Sequence, residues 1–304
     1  MKKKILILGY SSFLQRRVIK SLLKIKNIEI YICSKSQKID YKKKIFYNDY
    51  LKAINANNYH MVYISLINNL HYKYAKLALE RNNNLVIDKP ITTKFSHTKK
   101  LVELAKQKRL LLCELTIFDQ HKIFKNINKV FGGFKKIEHI HTTFNVPLYN
   151  KNNYLEKIQK GANQDMGPYA AAFDRIFFNH IKRKKIYLKK IKKKKLITGF
   201  SLSIISKKKT YFGDFSVQKP YQSKMIFYSK NKSAEIDFKA FALPTDKKIK
   251  LKIKNNLYNF NLNLKDDYIE RFFKNLIMGK HNKSYYYDQI NTDNLFRKKY
   301  KLIN

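Results

Sequence analysis

Ile5-Leu6-Ile7-Leu8-Gly9-Tyr10-Ser11-Ser12-Phe13-Leu14 reads as a short apolar strand, a glycine and the first turn of a helix. An unbroken apolar run suits a strand buried on both faces, as in a parallel sheet covered by crossover helices. The turn stands where a dinucleotide-binding loop would read G-x-G-x-x-G. Only Gly9 of the three glycines is present; Ser11 and Leu14 hold the other two places. The first glycine makes the tight turn, the second lets the backbone approach a pyrophosphate, and the third packs helix against strand. Ser11 is small enough for a near approach, and a hydroxyl beside a helix N-terminus can assist phosphate binding. Gly9, Ser11, Ser12 and Phe13 are therefore candidate phosphate-binding residues, and Leu14 demands a wider helix position. Taken alone, the turn fits any strand-glycine-helix junction of an α/β domain equally well.

Outward from this turn, apolar runs alternate with segments of helical period through residue 118. Strands are expected at Ile5 to Leu8, Ile28 to Cys33, Met61 to Ser65, Leu85 to Ile87 and Leu110 to Cys113. Helices are expected at Phe13 to Ile25, Tyr72 to Arg81 and Phe95 to Lys108. That alternation predicts a parallel sheet with crossover helices over 1–118. From about residue 135 the crossover helices disappear and strands succeed one another, beginning with Ile137 to Phe144 and ending with Leu257 to Leu262. Helices are expected around Met166 to Phe178 and Asp267 to Met278. The reading is an α/β domain joined to an α+β domain over 119–304 with a mainly antiparallel open sheet, the two closely coupled across a cleft. The lysine-rich stretch from Lys182 to Lys195 reads as a solvated connection.

A chain of 304 residues with 44% hydrophobic content can bury two cores. Its 65 Lys+Arg against 21 Asp+Glu give a formal charge of +44, which raises nucleic acid or anionic membrane as partners. The lysines are spread along the whole chain, whereas a nucleic-acid footprint gathers on one face or tail. The expectation is no nucleic-acid partner and a positive field that attracts anionic small molecules. No stretch approaches the roughly eighteen apolar residues that span a bilayer, so no membrane partner is expected. Cys33 and Cys113 lie in apolar runs and read as core thiols of a cytoplasmic, reducing compartment. His139, His141 and His180 lack ligand spacing with carboxylates or thiols, and no metal is expected.

The second strand bears on the cofactor. A site for NAD usually has Asp or Glu at the end of that strand, roughly twenty residues after the first glycine, to bind the ribose 2′-hydroxyl. Glu29 has the separation but opens the strand rather than closing it. Immediately after the strand come Ser34-Lys35-Ser36-Gln37-Lys38, hydroxyls and cations without a carboxylate. Ser34, Lys35 and Lys38 suit a 2′-phosphate, which favours NADP(H), with NAD(H) as the alternative.

Residues 61–90 narrow the class. Met61-Val62-Tyr63-Ile64-Ser65, then Asn68-Asn69-Leu70-His71, a helix, a strand and Asp88-Lys89-Pro90 resemble the Gfo/Idh/MocA oxidoreductase family. The hallmark of that family is a strand, an N-x-x-H turn, a helix and E-K-P; here Asp88 replaces the glutamate. The resemblance continues through Glu114 and through Gly161-Ala162-Asn163-Gln164-Asp165-Met166-Gly167-Pro168-Tyr169 to Ala240-Phe241-Ala242-Leu243-Pro244.

The resemblance implies a Rossmann domain, then a substrate-binding and oligomerisation domain, in a homodimer or homotetramer. It further implies that Ser65, Asn68, His71, Asp88, Lys89, Pro90 and Glu114 border the cofactor. By the same likeness Lys89 lies beside the nicotinamide and the substrate oxygen, Asp165 orients the substrate, and Tyr169 stands where many members carry a catalytic histidine. Members similar to nucleotide-sugar ketoreductases and to glucose-fructose oxidoreductase carry tyrosine there. A phenol, with an ordinary pKa of about 10, donates a proton beside an ammonium more readily than it accepts one. The expected reaction is hydride transfer from NADPH to a keto group of a sugar or nucleotide-linked sugar, with Tyr169 as proton donor and Lys89 stabilising the alkoxide. The alternatives are a sugar or inositol dehydrogenase working oxidatively, and a dinucleotide-binding protein without turnover. Asp119 stands where related sequences often carry an arginine, with Gln120 and His121 as nearby polar substitutes.

Overall fold

The computed structural model describes residues 2–35, 45–147, 161–193 and 196–303. It forms two compact units, Met1–Thr116 together with Ile269–Asn304, and Ile117–Tyr268. The boundary expected from the sequence is at 118/119, with the second domain running to 304; the compact units divide at Thr116/Ile117, and the segment from Ile269 groups with the first.

In the first unit, strands β1 (Lys3–Leu8), β2 (Ile28–Cys33), β3 (Ile45–Tyr47), β4 (Met61–Ile64), β5 (Asn84–Ile87) and β6 (Leu112–Glu114) form one sheet in the order β3-β2-β1-β4-β5-β6. Every pairing is parallel. Five strands are expected from the sequence; β3 is the sixth, and its three residues are too few to show a period. Ile5, Leu6, Ile7 and Leu8 are fully buried, as a central strand covered on both faces requires. The strand order reverses between β1 and β4, and such a switch point opens a crevice at the C-terminal strand ends. Gly9 and Ser65, immediately beyond those two strands, stand there.

A π-helical turn, Leu14–Val18, leads into α1 (Ile19–Leu22). The wider π turn takes in Leu14, which is fully buried where a glycine would ordinarily stand. Helices α2 (Tyr50–Asn55), α3 (Asn68–Glu80) and α4 (Phe95–Gln107) complete the crossovers. Each buries an apolar stripe, for example Leu101, Val102 and Ala105 of α4.

In the second unit, α5 (Lys122–Phe131) and the long helix α6 (Gly161–Phe178) accompany an eight-stranded sheet. Its strands are β7 (His139–Asn145), β8 (Lys185–Lys193), β9 (Leu196–Ile205), β10 (Thr210–Ser216), β11 (Gln222–Ser229), β12 (Lys232–Ile236), β13 (Ile249–Asn255) and β14 (Asn259–Leu264). Their order is β14-β13-β12-β11-β7-β10-β9-β8, antiparallel except where β10 runs parallel to β7. The lysine-rich connection expected at Lys182 to Lys195 is a correction: most of it is edge strand β8. Its lysines mark the free edge, where charge discourages a further strand from pairing.

The C-terminal helices α7 (Tyr268–Ile277) and α8 (Lys283–Lys299) return the chain to the first unit. Phe273 packs edge-on against Tyr63 of β4 at 5.6 Å, and Asn294 donates to the carbonyl of Phe95 at the start of α4. The buried stripe of α8 contains Asp293, Asn294 and Arg297 beside Tyr287, Ile290 and Phe296. That polar admixture hides the helix from a reading based on apolar period. Among the described residues no helix is long and apolar enough to cross a membrane.

Candidate active site

Gly9 closes β1 at φ +95°, and a Cβ there would lie 2.3 Å from the carbonyl oxygen of Ser65. Only glycine satisfies both the backbone angle and the approach. Next to it a chain of hydrogen bonds starts. The Ser65 hydroxyl donates to Oδ2 of Asp88 at 2.7 Å and stands 2.7 Å from the Ser11 hydroxyl. Ser65 has one hydroxyl proton and gives it to Asp88, so Ser11 is the donor in the second contact. The Ser11 oxygen in turn accepts the Leu14 amide at 3.1 Å. The Ser11 hydroxyl is thereby committed inside the protein, which revises the expectation that it assists a phosphate. The fit to an anion rests instead on the first N–H groups of the helix around Ser12 and Phe13, which a helix's own ladder does not use.

The other Asp88 oxygen accepts the Tyr63 hydroxyl. Burial raises the Asp88 carboxyl above its ordinary range, against the opposing pull of the Tyr63 and Ser65 hydroxyls and of nearby His71 and Lys89. Burial likewise drives the Tyr63 phenol well above its usual value, and the Asp88 charge adds to the effect. Tyr63 was legible only as a strand residue.

The backbone on the far side of Lys89 is clamped twice. His71 of α3 sets Nδ1 2.9 Å from the Pro90 carbonyl and Nε2 2.9 Å from that of Leu66. It is fully buried and ties the two turns together. Glu114, closing β6, accepts the Ile91 amide at 2.7 Å with one oxygen and the Thr116 hydroxyl at 2.6 Å with the other. The Lys89–Pro90 peptide is cis. Asn68 opens α3 and is buried. Arg297 of α8, 1% exposed, lies within electrostatic reach of Glu114 and Asp293, which hold its guanidinium charged against the downward push of burial. Nothing in the C-terminal sequence singles out Arg297.

At the end of β2, Ser34 is buried and Lys35 is exposed. Lys35 lies 4.0 Å from Asp49 and 5.3 Å from the centre of the Tyr50 ring. Asp49 caps α2 by accepting the Lys52 amide, which lowers its carboxyl below the ordinary value. The fold thus brings a carboxylate beside Lys35 that local sequence does not. Lys38 lies outside the described residues. Glu29 accepts the Tyr31 hydroxyl at 2.8 Å.

In the second unit Asp165 and Tyr169 stand one turn apart on α6, both half-buried among fully buried neighbours. The Tyr169 ring meets Phe144 at 5.5 Å and Phe241 at 5.3 Å, both edge-on, and Phe118 at 5.9 Å. Such packing fixes the ring plane while leaving the phenol oxygen as its polar end. Asp119 is held above its ordinary range by burial, offset by Arg175 of α6. His121 is fully buried and caps α5 by accepting the Ile123 amide at 3.1 Å, so its ring is engaged within the unit. Among the described residues no group of three or more His, Cys, Asp or Glu could hold a metal ion.

The first unit is a doubly wound domain with a glycine turn at its switch point, and the class it defines is nucleotide-binding. Residues 3–115 match the Gfo/Idh/MocA family, described as an oxidoreductase family with an NAD-binding Rossmann fold. The match covers little more than a third of the chain, and over those residues the chain is similar to that family. It is similar to a dTDP-3,4-didehydro-2,6-dideoxy-alpha-D-glucose 3-reductase of Saccharopolyspora spinosa, 28% identical over 133 residues, or 42% of this chain and 40% of the relative. The corresponding enzyme of Streptomyces violaceoruber is 26% identical over 112 residues, 36% of this chain and 33% of that one. These matches therefore span less than half of either relative. The fold of the whole chain is shared with a 3-ketoreductase from Actinomadura kijaniata in complex with NADP and TDP-benzene, at a TM-score of 0.84 and 17% identity over 97% of this chain and 96% of that one. UDP-N-acetylglucosamine 3-dehydrogenase from Acidithiobacillus ferrooxidans shares it at 0.74 and 10%, over 99% and 97%.

Two variants test the site's construction. Arg297→Met leaves Glu114 and Asp293 without their buried cation and should lower stability by about 3–5 kcal/mol in urea denaturation, part of it returning in Arg297→Met/Glu114→Gln. A loss of under about 1 kcal/mol would show that α8 does not carry this charge. For Asp88→Asn the pH dependence is diagnostic. A carboxyl raised in the folded state binds more protons there than when unfolded, so its contribution to stability falls as pH rises from the ordinary carboxylate value to the raised one. The stability difference, Asn variant minus wild type, should grow across that window and level off above it; a flat difference would remove the raised carboxyl.

Proposed function

We propose that this chain is an NADPH-dependent ketoreductase that acts on a keto group of a sugar, most specifically a nucleotide-linked sugar. The observation that carries the reading is the hydrogen-bonded run from Ser11 through Ser65 to Asp88, which couples the glycine turn to the segment bearing Lys89. A structure needs that coupling when one bound molecule must lie against both. The similarity to 3-reductases of dTDP-sugars, and to the fold of a 3-ketoreductase bound to NADP and TDP-benzene, supports the substrate class. That ketoreductase fold recurs in versions with a lysine replaced by alanine or a tyrosine by phenylalanine, the residue types assigned roles here.

A dinucleotide held at the glycine turn by Gly9, Ser12 and Phe13 would supply the hydride for the carbonyl carbon. Lys89, held by the clamps on Asp88, Pro90 and Ile91, stabilises the charge that develops on the carbonyl oxygen. Tyr169 gives that oxygen its proton, so the products are an alcohol and a phenolate that regains its proton from solvent. Asp165, one turn earlier, orients the substrate hydroxyls. Lys35 accepts the 2′-phosphate in exchange for its loose contact with Asp49, and the basic surroundings favour a diphosphate-bearing substrate.

Cys33 and Cys113, both buried and neither in a disulfide, fit a cytoplasmic setting. Phe212 and Tyr187, which the eight-stranded sheet leaves 44% and 56% exposed, fit burial in a homodimer or homotetramer. The test is turnover of a panel of 3-keto nucleotide sugars, monitored by NADPH oxidation. Tyr169→Phe and Lys89→Ala should each reduce kcat by about 10²–10⁴-fold. Undiminished turnover in Tyr169→Phe would remove its role as proton donor, and oxidation of sugar alcohols without ketone reduction would reverse the direction assigned.

A further inference from the structure

We infer that the second unit carries a separate site for a compact polyphosphate-type anion, in a cavity of about 770 Å³. The cavity lies where the β9–β10 and β11–β12 turns meet the segment between α5 and β7. Seven of its fourteen lining residues are lysines, against 65 Lys+Arg in 304 residues overall. Half against roughly a fifth exceeds the general cationic excess. The lysines arrive from three separate segments, as Lys135 and Lys136, Lys207 and Lys208, and Lys230 and Lys232. Glu138 is the one acidic residue among the lining residues, and no described residue forms an ion pair with any of these lysines.

The seventh lysine supplies an independent observation. Lys209 is 2% exposed, and its ammonium donates to the carbonyls of Phe134 at 2.6 Å and Phe177 at 3.3 Å, 5.7 Å from the Phe178 ring centre. Carbonyl dipoles hold it in place, but no carboxylate offsets its charge, and burial pushes the ammonium down to about 8. A buried cation without a counter-charge is costly, and its exposed neighbours repel one another. An anion in the cavity would relieve both.

The donor set selects the ligand class. Lysine ammoniums act as point charges without the planar fork of arginine, so they read charge density rather than the shape of one carboxylate. The single aromatic lining residue apart from His139 is Phe131, which is 5% exposed and offers no platform on which a base could stack. A concave space of this size takes a small molecule carrying several phosphates. His139 lines the cavity and opens β7, while Phe144, against which Tyr169 packs, is near the other end of that strand. At about 3.3 Å per residue the two are roughly 17 Å apart, so a ligand here is not the one at Tyr169.

Calorimetric titration with inorganic tripolyphosphate tests this in the full chain. Lys207→Glu/Lys208→Glu alters two exposed turn residues of the cavity. Lys250→Glu/Lys254→Glu makes the same change of charge on two exposed residues of β13. The expected result is equal affinity in the wild type and the β13 variant and at least tenfold weaker binding in the cavity variant. Equal affinity in all three would overturn the proposal, because the anion is then held elsewhere or by the overall field; so would absence of binding to the wild type.

Discussion

The carboxylate of Asp88 is the constraint around which the first unit's site is arranged. It is half-buried where ionisation is disfavoured, and two hydroxyls, from Tyr63 and Ser65, make the charged form tolerable. Both belong to β4 or the residue just after it, so the strand fixes where Asp88 is and hence where Lys89 begins. Ser65 passes the same order on to Ser11 and the start of the first helix. The glycine turn, the β4 turn and the Asp88-Lys89-Pro90 segment are therefore joined by one run of hydrogen bonds. His71 and Glu114 hold the backbone groups of Leu66, Pro90 and Ile91.

That arrangement accounts for the incomplete glycine fingerprint. Ser11 stands at the place of the second glycine but turns its hydroxyl toward Ser65, where it also accepts the Leu14 amide. Leu14 stands at the place of the third, and the π turn widens the helix enough to bury it. Gly9 alone is irreplaceable, because its backbone angle and its distance from Ser65 both exclude a side chain. The departures are compensated locally, so the turn keeps its shape without the full motif.

The first unit's sheet was largely legible because fully buried strands write themselves as unbroken apolar runs, as Ile5 to Leu8 and Met61 to Ile64 do. The features that were not legible have physical causes. Strand β3 is three residues long; β8 is an edge strand whose lysines look like a solvated loop; α8 buries charged and amide side chains in its stripe. Within the site, Gly9 could be named from its turn, and His71, Asp88 and Glu114 from the resemblance to the Gfo/Idh/MocA family. Tyr63, Asp49 and Arg297 could not, because their importance comes from what the fold places beside them. His121, named only as a polar residue near Asp119, is a buried helix cap.

A formal +44 disposes the whole surface toward anions, yet specific sites need counter-charge geometry as well as sign. Lys35 lies 4.0 Å from Asp49, and the proposed function has it exchange that contact for a phosphate. The most direct measurement is a parallel titration of the wild-type chain with NADPH and NADH, read by the emission of the reduced nicotinamide. The expected result is saturable binding of both, at least tenfold tighter for NADPH, with the preference weakened by salt. Equal affinity for the two would contradict the assignment of the 2′-phosphate contact, and absence of binding by either would contradict the central claim that this chain is a dinucleotide-dependent reductase.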